Sequence, residues 1–381
     1  MIDLAAPPKE HPDAVFVRRT QVRSYTSRQQ FRQAGYDLAA EMFAATDPAP
    51  DARTFVLKPN VVIPRIRDRE TNKLLGGDQG IVTDPDFLAG IVQRLQELGA
   101  RKIIVAEGGG PTPMGPTFED RGYARMAREM GIELADLNKE TGTYGPEEIN
   151  WTPVDGVVFK EIPFVRPVND PDVVFISVPT MKTHNLGVIS LCAKGLQGTI
   201  EMGYRHFCNE IQAVYGYGEK VDTRRAYQPG MVEHVERLYD MHRQDGYPRW
   251  DQEGSRYEGY AQRTCDAVAA IRSFFNIVEG IVGRDGTAFN QGKDHLSNLT
   301  LAGVNPVSVD AITSYLMGHD PTNIGYLKVA AERGLGKIDP RDIPVYLVTD
   351  DGPVGCFHIE EVGREEPGVY WRGDGSKYIY F

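Results

Sequence analysis

A helix pattern followed at once by a continuous apolar run is the feature that most constrains the fold of this chain. In residues 83–99, TDPDFLAGIVQRLQELG, Asp84 can cap a helix that begins at Pro85, apolar residues recur on one face, and Gly99 ends it. Residues 102–110, KIIVAEGGG, then form the β-branched run typical of a strand that is buried on both faces. Together the two segments predict part of a βαβ unit, and hence a parallel sheet.

The same alternation is found along the rest of the chain. Strands are predicted at 15–18, 54–62, 173–178, 276–282, 298–303 and 343–349, and helices at 28–45, 230–244, 264–275, 308–317 and 322–333. Helices that alternate with parallel strands cover both faces of their sheet. The predicted fold class is therefore α/β, with a mostly parallel sheet and helices on both faces.

We expect three parts along the chain. Residues 1–204 are predicted to be the first part of the α/β core, and residues 264–381 its second part with a C-terminal tail. Residues 205–263 are rich in Tyr, Arg, His, Asp and Gly, and interrupt the regular alternation. We interpret them as an irregular, aromatic-rich helical insertion that acts as a cap over the sheet.

Composition limits the partners of the chain. A length of 381 residues, 41% of them hydrophobic, is enough for one large or two ordinary domains with a buried core. A formal net charge of -11 disfavours non-specific binding to nucleic acid or to an anionic membrane. No apolar run approaches the length of a membrane span and the first residues lack a signal-peptide pattern, so we expect a cytoplasmic protein. The sequence is compatible with a homo-oligomer.

The four cysteines, Cys192, Cys208, Cys265 and Cys356, are dispersed and show no C-x-x-C spacing. Such spacing predicts reduced thiols rather than a disulfide framework. It also predicts that no iron–sulfur cluster is bound.

Polar residues follow three of the predicted strands. They are Lys58 and Asn60, then Glu107 with the loop Gly108, Gly109 and Gly110, and then Lys182 and His184. In an open parallel sheet, ligands bind outside the carboxyl ends of the strands, where such loops converge. Each residue also has a structural explanation, because lysines are often solvated, glycine loops are often turns, and a glutamate can cap a helix. Their conjunction at one edge favours a site.

The residue types in this set point to anion binding and proton transfer. We assign catalysis to His184, Lys182 and Glu107, and substrate binding to Lys58, Asn60, Lys194, Gly108, Gly109 and Gly110. Lysines that meet in a cleft of low dielectric require an anion, such as a carboxylate or a phosphate. The glycines would let backbone amides approach that anion. The loop GGGPTPMGP matches neither a P-loop nor a dinucleotide-binding motif.

The sequence is compatible with a divalent metal as a cofactor. His184 and His206, with Glu201 or Cys208 near them in the sequence, could form a mixed site, although their spacing matches no established zinc or calcium motif. Asp310 either interacts with the first turn of its own helix or points into the site, and we favour the first.

The sequence resembles the family called domain of unknown function 362. The resemblance extends from about Lys58 to Thr349 and rests on LKPNV, LGARKIIVAEGG, VPTMKTHNLGVISLCAKGLQG, NPVSVDAI and YLKVAAERGLG. Some members of that family carry a ferredoxin-like cysteine insertion and are labelled iron–sulfur proteins, but this chain lacks those cysteines. It also has Thr287 and Ala288 where many members have Gly-Pro, and a longer aromatic insertion at 205–263. The resemblance implies the fold and the position of the site, but no particular reaction.

The leading hypothesis is an enzyme that acts on a small anionic metabolite by proton transfer and charge stabilisation, with or without a metal. Its reaction would be that of a lyase, an isomerase or a metal-dependent oxidoreductase. Two alternatives remain: a non-catalytic protein that binds an anion or metabolite, and an iron-dependent redox protein.

Overall fold

The apolar runs of the sequence become the strands of one large sheet. The computed structural model describes residues 12–43, 54–110, 113–139, 143–205, 208–213, 220–248, 250–287, 291–350, 352–356, 358–366 and 369–370, with the backbone alone at 251–253, 273–274, 353 and 356. The strands are β1 (Val15–Arg19), β2 (Thr54–Pro59), β3 (Lys102–Glu107), β4 (Glu133–Asp136), β5 (Ile149–Pro153), β6 (Glu161–Val165), β7 (Val173–Val178), β8 (Thr180–His184), β9 (Val188–Ser190), β10 (Ser273–Arg284), β11 (Asp294–Gly303), β12 (Val345–Thr349) and β13 (Gly352–Cys356). The α-helices are α1 (Arg28–Met42), α2 (Pro85–Glu97), α3 (Gly115–Asp120), α4 (Tyr123–Met130), α5 (Cys192–Gly195), α6 (Thr223–Ala226), α7 (Met231–Gln244), α8 (Trp250–Ala270), α9 (Pro306–Leu316) and α10 (Gly325–Glu332).

The central sheet is mostly parallel. Its strand order is β13-β12-β1-β11-β10-β7-β2-β3-β4, and β8 and β9 extend it beside β10. β11 and β13 run antiparallel to their neighbours, whereas the other neighbouring pairs in this order are parallel. The chain changes direction across the sheet at β2, because β3 and β4 follow on one side and β7 and β10 on the other. The carboxyl edge beside such a reversal is where α/β sheets bind ligands.

Alternate residues of the strands face two separate apolar layers. Phe55 and Leu57 of β2 pack with α1 and α2, whereas Val56 between them packs with residues of α8, α9 and α10 on the opposite face. A strand that is buried on both faces needs apolar residues at every position, which explains the continuous runs in the sequence. The predicted α/β class, with a mostly parallel sheet and helices on both faces, is confirmed.

Helix α2 begins where the sequence predicts. The carboxylate of Asp84 accepts hydrogen bonds from the backbone N–H groups of Asp86 at 2.8 Å and Phe87 at 3.3 Å, which caps the helix. Helices α1 and α2 cross closely, because a Cβ atom at Gly90 would lie 2.1 Å from the carbonyl oxygen of Arg32. This pair covers one face of the sheet and leaves the carboxyl edge of β2 and β3 accessible to other loops.

Residues 180–184 differ from the prediction, which placed them in a loop after the strand at 173–178. They form β8, which pairs in parallel with the second half of β10 and antiparallel with β9. All five residues are buried. The physical reason is that β10 continues past the end of β7 and offers unpaired backbone groups, so the polar sequence TMKTH completes the ladder.

Two predicted helix boundaries are also wrong. The helix expected at 264–275 is the end of the longer helix α8, and β10 begins at Ser273, where parallel pairing with β7 starts. The helix expected to open at Ser308 begins at Pro306, because the side chain of Asn305 accepts hydrogen bonds from the backbone N–H groups of Val307 and Ser308. Asparagine is as good an N-cap as serine, and the preference for proline at the first helical position decides between them.

His242 of α7 makes one of the contacts between the described part of the 205–263 segment and the core. Its Nδ1 lies 2.7 Å from a carboxylate oxygen of Glu258 in α8, and its Nε2 lies 3.1 Å from one of Glu332 in α10. Burial opposes the charge of the ring, but the hydrogen bonds and charges of the two glutamates outweigh it and raise the pKa of His242. The imidazole of His242 thus links α7 to α8 and α10.

Within the described residues, no helix is both long and apolar enough to cross a bilayer. In the predicted C-terminal tail, the buried Tyr370 hydroxyl lies 2.6 Å from Ser297 Oγ, and residues 371–381 lie outside the described part of the chain. The cytoplasmic location and the division of the chain at 204 and 263 stay predictions.

Candidate functional site

A cavity of about 620 Å³ lies at the carboxyl edge of β2 and β3. Most of the residues that the sequence assigned to a site line it: Lys58, Asn60, Glu107, Gly108, Gly109, Gly110, His184 and Lys194. Lys182 is not part of the lining, and His206 lies outside the described residues. The fold therefore brings together, at the carboxyl ends of the strands, residues that are more than 130 positions apart in the sequence, from Lys58 to Lys194.

Lys58 and Glu107 form a buried ion pair in the wall of the cavity. Lys58 Nζ lies 2.7 Å from Glu107 Oε1 and also donates a hydrogen bond to the carbonyl of Pro59. The other carboxylate oxygen accepts the backbone N–H of Val61 at 2.7 Å. Burial lowers the pKa of Lys58, although the charge of Glu107 opposes this shift. Glu107 is thus held in place by neighbours, and Lys58 is largely neutralised by it.

The glycine loop needs glycine for close packing rather than for unusual backbone angles. A Cβ atom at Gly109 would lie 2.3 Å from the carbonyl oxygen of Val61, and one at Gly108 would lie 2.5 Å from that of Gly198. The amide of Gly108 donates to Glu107 Oε1 at 2.8 Å, so it is used within the chain. The amides of Gly109 and Gly110 make no hydrogen bond to the described residues, which leaves them as the donors of this loop.

Lys182 lies behind the lining rather than in it. Its side chain is 1% exposed, and Nζ donates hydrogen bonds to Asn60 Oδ1 at 2.8 Å and to the carbonyl of Ile81 at 2.6 Å. No carboxylate lies within 4 Å of this amine among the residues that the structure describes. Burial lowers the pKa of Lys182 well below its usual value, and the nearby charge of Lys194 adds to the shift. Lys182 therefore has no direct access to the cavity, and the catalytic role that the sequence assigned to it is not supported.

His184 sits at the end of β8, in a turn that fixes its ring. The Nδ1 atom accepts hydrogen bonds from the backbone N–H groups of Leu186 and Gly187, both at 3.1 Å. Gly187 is required there, since a Cβ atom would lie 2.2 Å from the hydroxyl of Tyr260 in α8. The turn closes at Val188, whose φ of 67° is in the left-handed region that β-branched residues avoid. Packing around the turn thus determines where the imidazole lies.

The ring orientation of His184 fits a hydrogen-bond donor better than a metal ligand. Because Nδ1 accepts two amide protons, the proton of the neutral imidazole is on Nε2, and a protonated nitrogen has no lone pair for a metal. In the described part of the chain, no group of three or more His, Cys, Asp or Glu side chains is arranged to hold a metal ion. The second expected ligand, His206, lies outside that part.

Lys194 is presented to the cavity by the one-turn helix α5, which follows β9 directly. The run LGVISLCA is thus a strand and then a helix turn, and Cys192 at its end is fully buried in the core. Asp310 of α9 accepts hydrogen bonds from the backbone N–H groups of Cys192 at 2.8 Å and Ala193 at 3.0 Å. Asp310 therefore does neither of the two things that the sequence predicted. It does not face the site, and it does not interact with the first turn of its own helix. It holds the turn that carries Lys194.

Arg205 is the main residue of the cavity that the sequence did not reveal. Its guanidinium donates to the carbonyls of Gly108 at 2.5 Å, Leu137 at 3.1 Å and Gly198 at 3.4 Å. It also donates to Asn138 Oδ1 and to the carbonyl of Ile200. All five N–H groups of the side chain are thereby used. Burial lowers the pKa of Arg205 to about 10, so it remains a cation at neutral pH.

Two cations of the cavity, Lys194 and Arg205, have no acidic partner among the residues that the structure describes. Within the described ranges, no carboxylate lies within 4 Å of Lys194 Nζ or of the Arg205 guanidinium, and the contact made by Lys194 is with Gln197 Oε1 at 3.4 Å. Arg205 contributes positive charge to the cavity, but all of its N–H groups are already used in hydrogen bonds. Lys194 contributes positive charge and also N–H groups that can bind a ligand. The cavity is therefore electropositive, although the whole chain is acidic.

The segment predicted as an insertion contributes further to the lining. Besides Arg205 it supplies Cys208, Asn209 and Arg256, and the apolar part of the wall comes from Val62, Ile63, Leu186 and Met202. Arg256 Nε donates to the carbonyl of Cys208 at 2.9 Å. An arginine in an irregular segment carries no local signal of a site, so only the fold could identify these residues.

Comparison with known proteins gives one family and one distant structural neighbour. No curated protein matches the chain. A crystal structure of a Thermotoga maritima protein from the Northeast Structural Genomics Consortium aligns with a TM-score of 0.36 and 9% sequence identity, over 82% of this chain and 61% of that one. The chain thus spans about three fifths of the length of that protein. The model of the family described as Domain of unknown function (DUF362) matches residues 56–315, which include every strand end that lines the cavity. The chain belongs to the DUF362 family.

Proposed function

We propose that this protein is an enzyme that binds a small metabolite through a carboxylate or phosphate group and transfers a proton to or from it. The observation that carries this proposal is the imbalance of charge in the cavity. Lys194 and Arg205 have no carboxylate within 4 Å in the described residues, while Glu107 is already paired with Lys58. Burying a cation without a counter-ion is costly, and an anionic ligand would offset that cost.

The shape of the cavity supports a metabolite rather than a macromolecule. Its volume of about 620 Å³ is within the range of small-molecule sites. The apolar residues of the wall, such as Val62 and Leu186, would contact the body of the ligand. The residues of the 205–263 segment that line the cavity would cover it as a cap.

His184 is the best candidate for contacting the reacting atom. It lines the cavity, and its Nε2–H would donate a hydrogen bond to an atom on which negative charge develops, while the transferred proton would be exchanged with solvent water. Lys194 would bind the anion directly, and the charge of Arg205 would stabilise it from behind the glycine loop. Glu107 would act through Lys58 rather than as a base, because both of its oxygens accept hydrogen bonds within the chain.

A second candidate function is binding without catalysis. It is favoured by the same internal contacts, because the Glu107 oxygens and His184 Nδ1 are occupied by donors of the protein itself. A binding protein needs the cations of the cavity but no group that accepts a proton.

Solvent-exchange NMR distinguishes the two functions and does not require a known substrate. The full chain would be incubated in deuterated water with a panel of small carboxylates and phosphate esters, and deuterium incorporation at carbon would be followed by proton NMR. We expect exchange with at least one anionic compound, and its loss in His184→Gln but not in the control His234→Gln, which changes a histidine of α7 outside the cavity. Binding of panel members without exchange would favour the binding protein. Neither binding nor exchange would contradict both functions.

A further inference from the structure

The lining of the cavity includes three hydrogen-bond donor groups that make no hydrogen bond to the residues that the structure describes. We propose that Asn60 Nδ2 and the backbone amides of Gly109 and Gly110 form an oxyanion subsite, and that Lys182 fixes Asn60 from behind so that its amide group faces the ligand. This inference rests on the proposed function, because it names where the carboxylate or phosphate of the metabolite is bound. It makes Lys182 a positioning residue rather than a catalytic one.

The orientation of Asn60 follows from its partners. Its Oδ1 accepts a hydrogen bond from Lys182 Nζ at 2.8 Å, and the carbonyl of Ile81 holds the same amine at 2.6 Å. An amide has its oxygen and its NH₂ group on opposite sides, so an oxygen that faces Lys182 turns two N–H donors away from it. Asn60 lines the cavity, whereas Lys182 does not.

The backbone of Asn60 is equally fixed. Its N–H donates to Thr83 Oγ1 at 3.0 Å, and its carbonyl accepts the N–H of Thr83 at 2.9 Å. With both backbone groups and the side-chain oxygen bound, the NH₂ group is the remaining polar part of the residue. Preorganised donors of this kind bind an anion without the cost of reorganisation.

The glycine loop lies beside Asn60 because it packs on the next two residues. A Cβ atom at Gly109 would lie 2.3 Å from the carbonyl oxygen of Val61, and one at Gly110 would lie 3.1 Å from that of Val62. This close approach brings the two unused amides to the chain segment that begins with Asn60. The amide of Gly108 is excluded from the subsite because it donates to Glu107.

The surrounding charges favour an anion at this position. Lys194 lines the same cavity, and Arg205 is bonded to the carbonyl of Gly108 in the same loop. Neutral donors in a positive environment suit the oxygens of a carboxylate, a phosphate or a sulfate alike. The subsite thus recognises the oxyanion, and the apolar wall would recognise the rest of the molecule.

Two oxyanions serve as probes, inorganic phosphate and malonate, and their binding to the full chain is measured by isothermal titration calorimetry. We expect at least one of them to bind, and the affinity to fall about tenfold or more in Asn60→Asp and in Lys182→Met. Asn60→Asp replaces the donor by a negative charge, and Lys182→Met removes the amine that orients it. The control is Lys102→Met, which removes an exposed lysine at the opposite end of β3 and should leave binding unchanged.

Wild-type protein provides a test that does not depend on the folding of a variant. During titration with the probe that binds, the amide resonances of Gly109 and Gly110 and the side-chain amide of Asn60 should shift, whereas that of Gly115, outside the cavity, should not. If a probe binds and Lys194→Met weakens it, but these resonances and the Asn60→Asp affinity do not change, the subsite is wrong and the proposed function stands. If neither probe binds the wild-type chain, both are wrong.

Discussion

Lys58 Nζ and Glu107 Oε1 lie 2.7 Å apart, and their side chains are only 2% and 1% exposed. Breaking a buried pair by removing one charge leaves the other without a partner. We expect Glu107→Gln to lower the free energy of unfolding by about 3–5 kcal/mol, and the double variant Lys58→Met/Glu107→Gln to lose less than Glu107→Gln alone. Urea unfolding of the wild type, the two single variants and the double variant measures the coupling. A loss in the double variant equal to the sum of the losses in the two single variants would show that the pair is not coupled.

Gly109 should not tolerate a side chain, whereas Gly115 should. Alanine at 109 would place Cβ 2.3 Å from a backbone oxygen of Val61, while alanine at 115 meets nothing within 4 Å. We expect Gly109→Ala to cost about 1–3 kcal/mol of stability and to weaken anion binding, because the loop must move. Gly115→Ala should change stability by less than about 0.5 kcal/mol. Thermal unfolding of the two variants checks this, and equal melting temperatures would contradict the packing argument.

Arg205→Lys should loosen the cavity although it keeps the charge. Lysine has one ammonium group and cannot bridge the five acceptors that the guanidinium holds. We expect hydrogen–deuterium exchange of the backbone at 108–110 and 198–200 to rise about tenfold or more. The exposed Arg341, replaced in the same way, serves as the control. Unchanged exchange in Arg205→Lys would mean that charge alone, rather than the hydrogen bonds, supports these segments.

Asp310→Asn should alter the position of Lys194 without touching the cavity. The carboxylate accepts hydrogen bonds from the N–H groups of Cys192 and Ala193 and from the hydroxyl of Tyr326 at 2.9 Å. An asparagine has one acceptor oxygen, so its NH₂ group would oppose an amide donor, at a cost of about 1–3 kcal/mol. We expect weaker binding of the anion and a lower melting temperature. A variant with normal stability and normal binding would exclude this role.

Stability should fall as the pH rises, through Glu279 in β10. Its carboxylate is buried and accepts hydrogen bonds from the N–H groups of Ile281 and Val282. Burial, with a smaller contribution from the charge of Asp84, raises the pKa of Glu279 from 4.5 to about 8. A raised pKa means that the folded state holds the proton more tightly, so this stabilisation is complete below about pH 4.5 and is lost as the pH rises through about 8.

The variant Glu279→Gln isolates this effect, because glutamine does not titrate. We expect the wild type to lose stability relative to Glu279→Gln between about pH 5 and pH 8, by up to about 1.4 kcal/mol per pH unit. Burial also raises the pKa of Asp84, to about 6, so the two carboxyl groups titrate as a pair. Urea unfolding at several pH values across this range measures the difference, and parallel curves for the two proteins would refute the assignment to Glu279.

Local sequence was sufficient for much of the sheet and insufficient for β8. The strand predicted at 173–178 is observed as β7 with the same bounds, because a run buried on both faces is apolar throughout. Residues 180–184 contain lysine, threonine and histidine, and their strand exists only because β10 and β9 pair with them. Strand formation of this kind depends on the context and not on the propensity of the segment.

The same distinction holds for the candidate site. Lys58 and Glu107 could be predicted because they lie at the carboxyl ends of apolar strands, and a parallel sheet brings these ends together. His184 was predicted on the same ground, although it ends the polar strand β8 rather than following β7 directly. Lys182 was expected among them, but pairing of β8 on both sides places it beneath Asn60. Arg205 could not be predicted, since its partners are mainly carbonyl oxygens that any sequence would provide.

The position of β1 in the sheet determines when the protein can complete its fold during synthesis. β1 lies between β11 and β12, with Val15 opposite both Gly303 and Val345. Both partners leave the ribosome some 300 residues later, whereas β2, β3 and β7 can pair among themselves much earlier. Until residue 345 has emerged, β1 has apolar side chains and an unpaired edge, which is the kind of segment that a chaperone protects from aggregation.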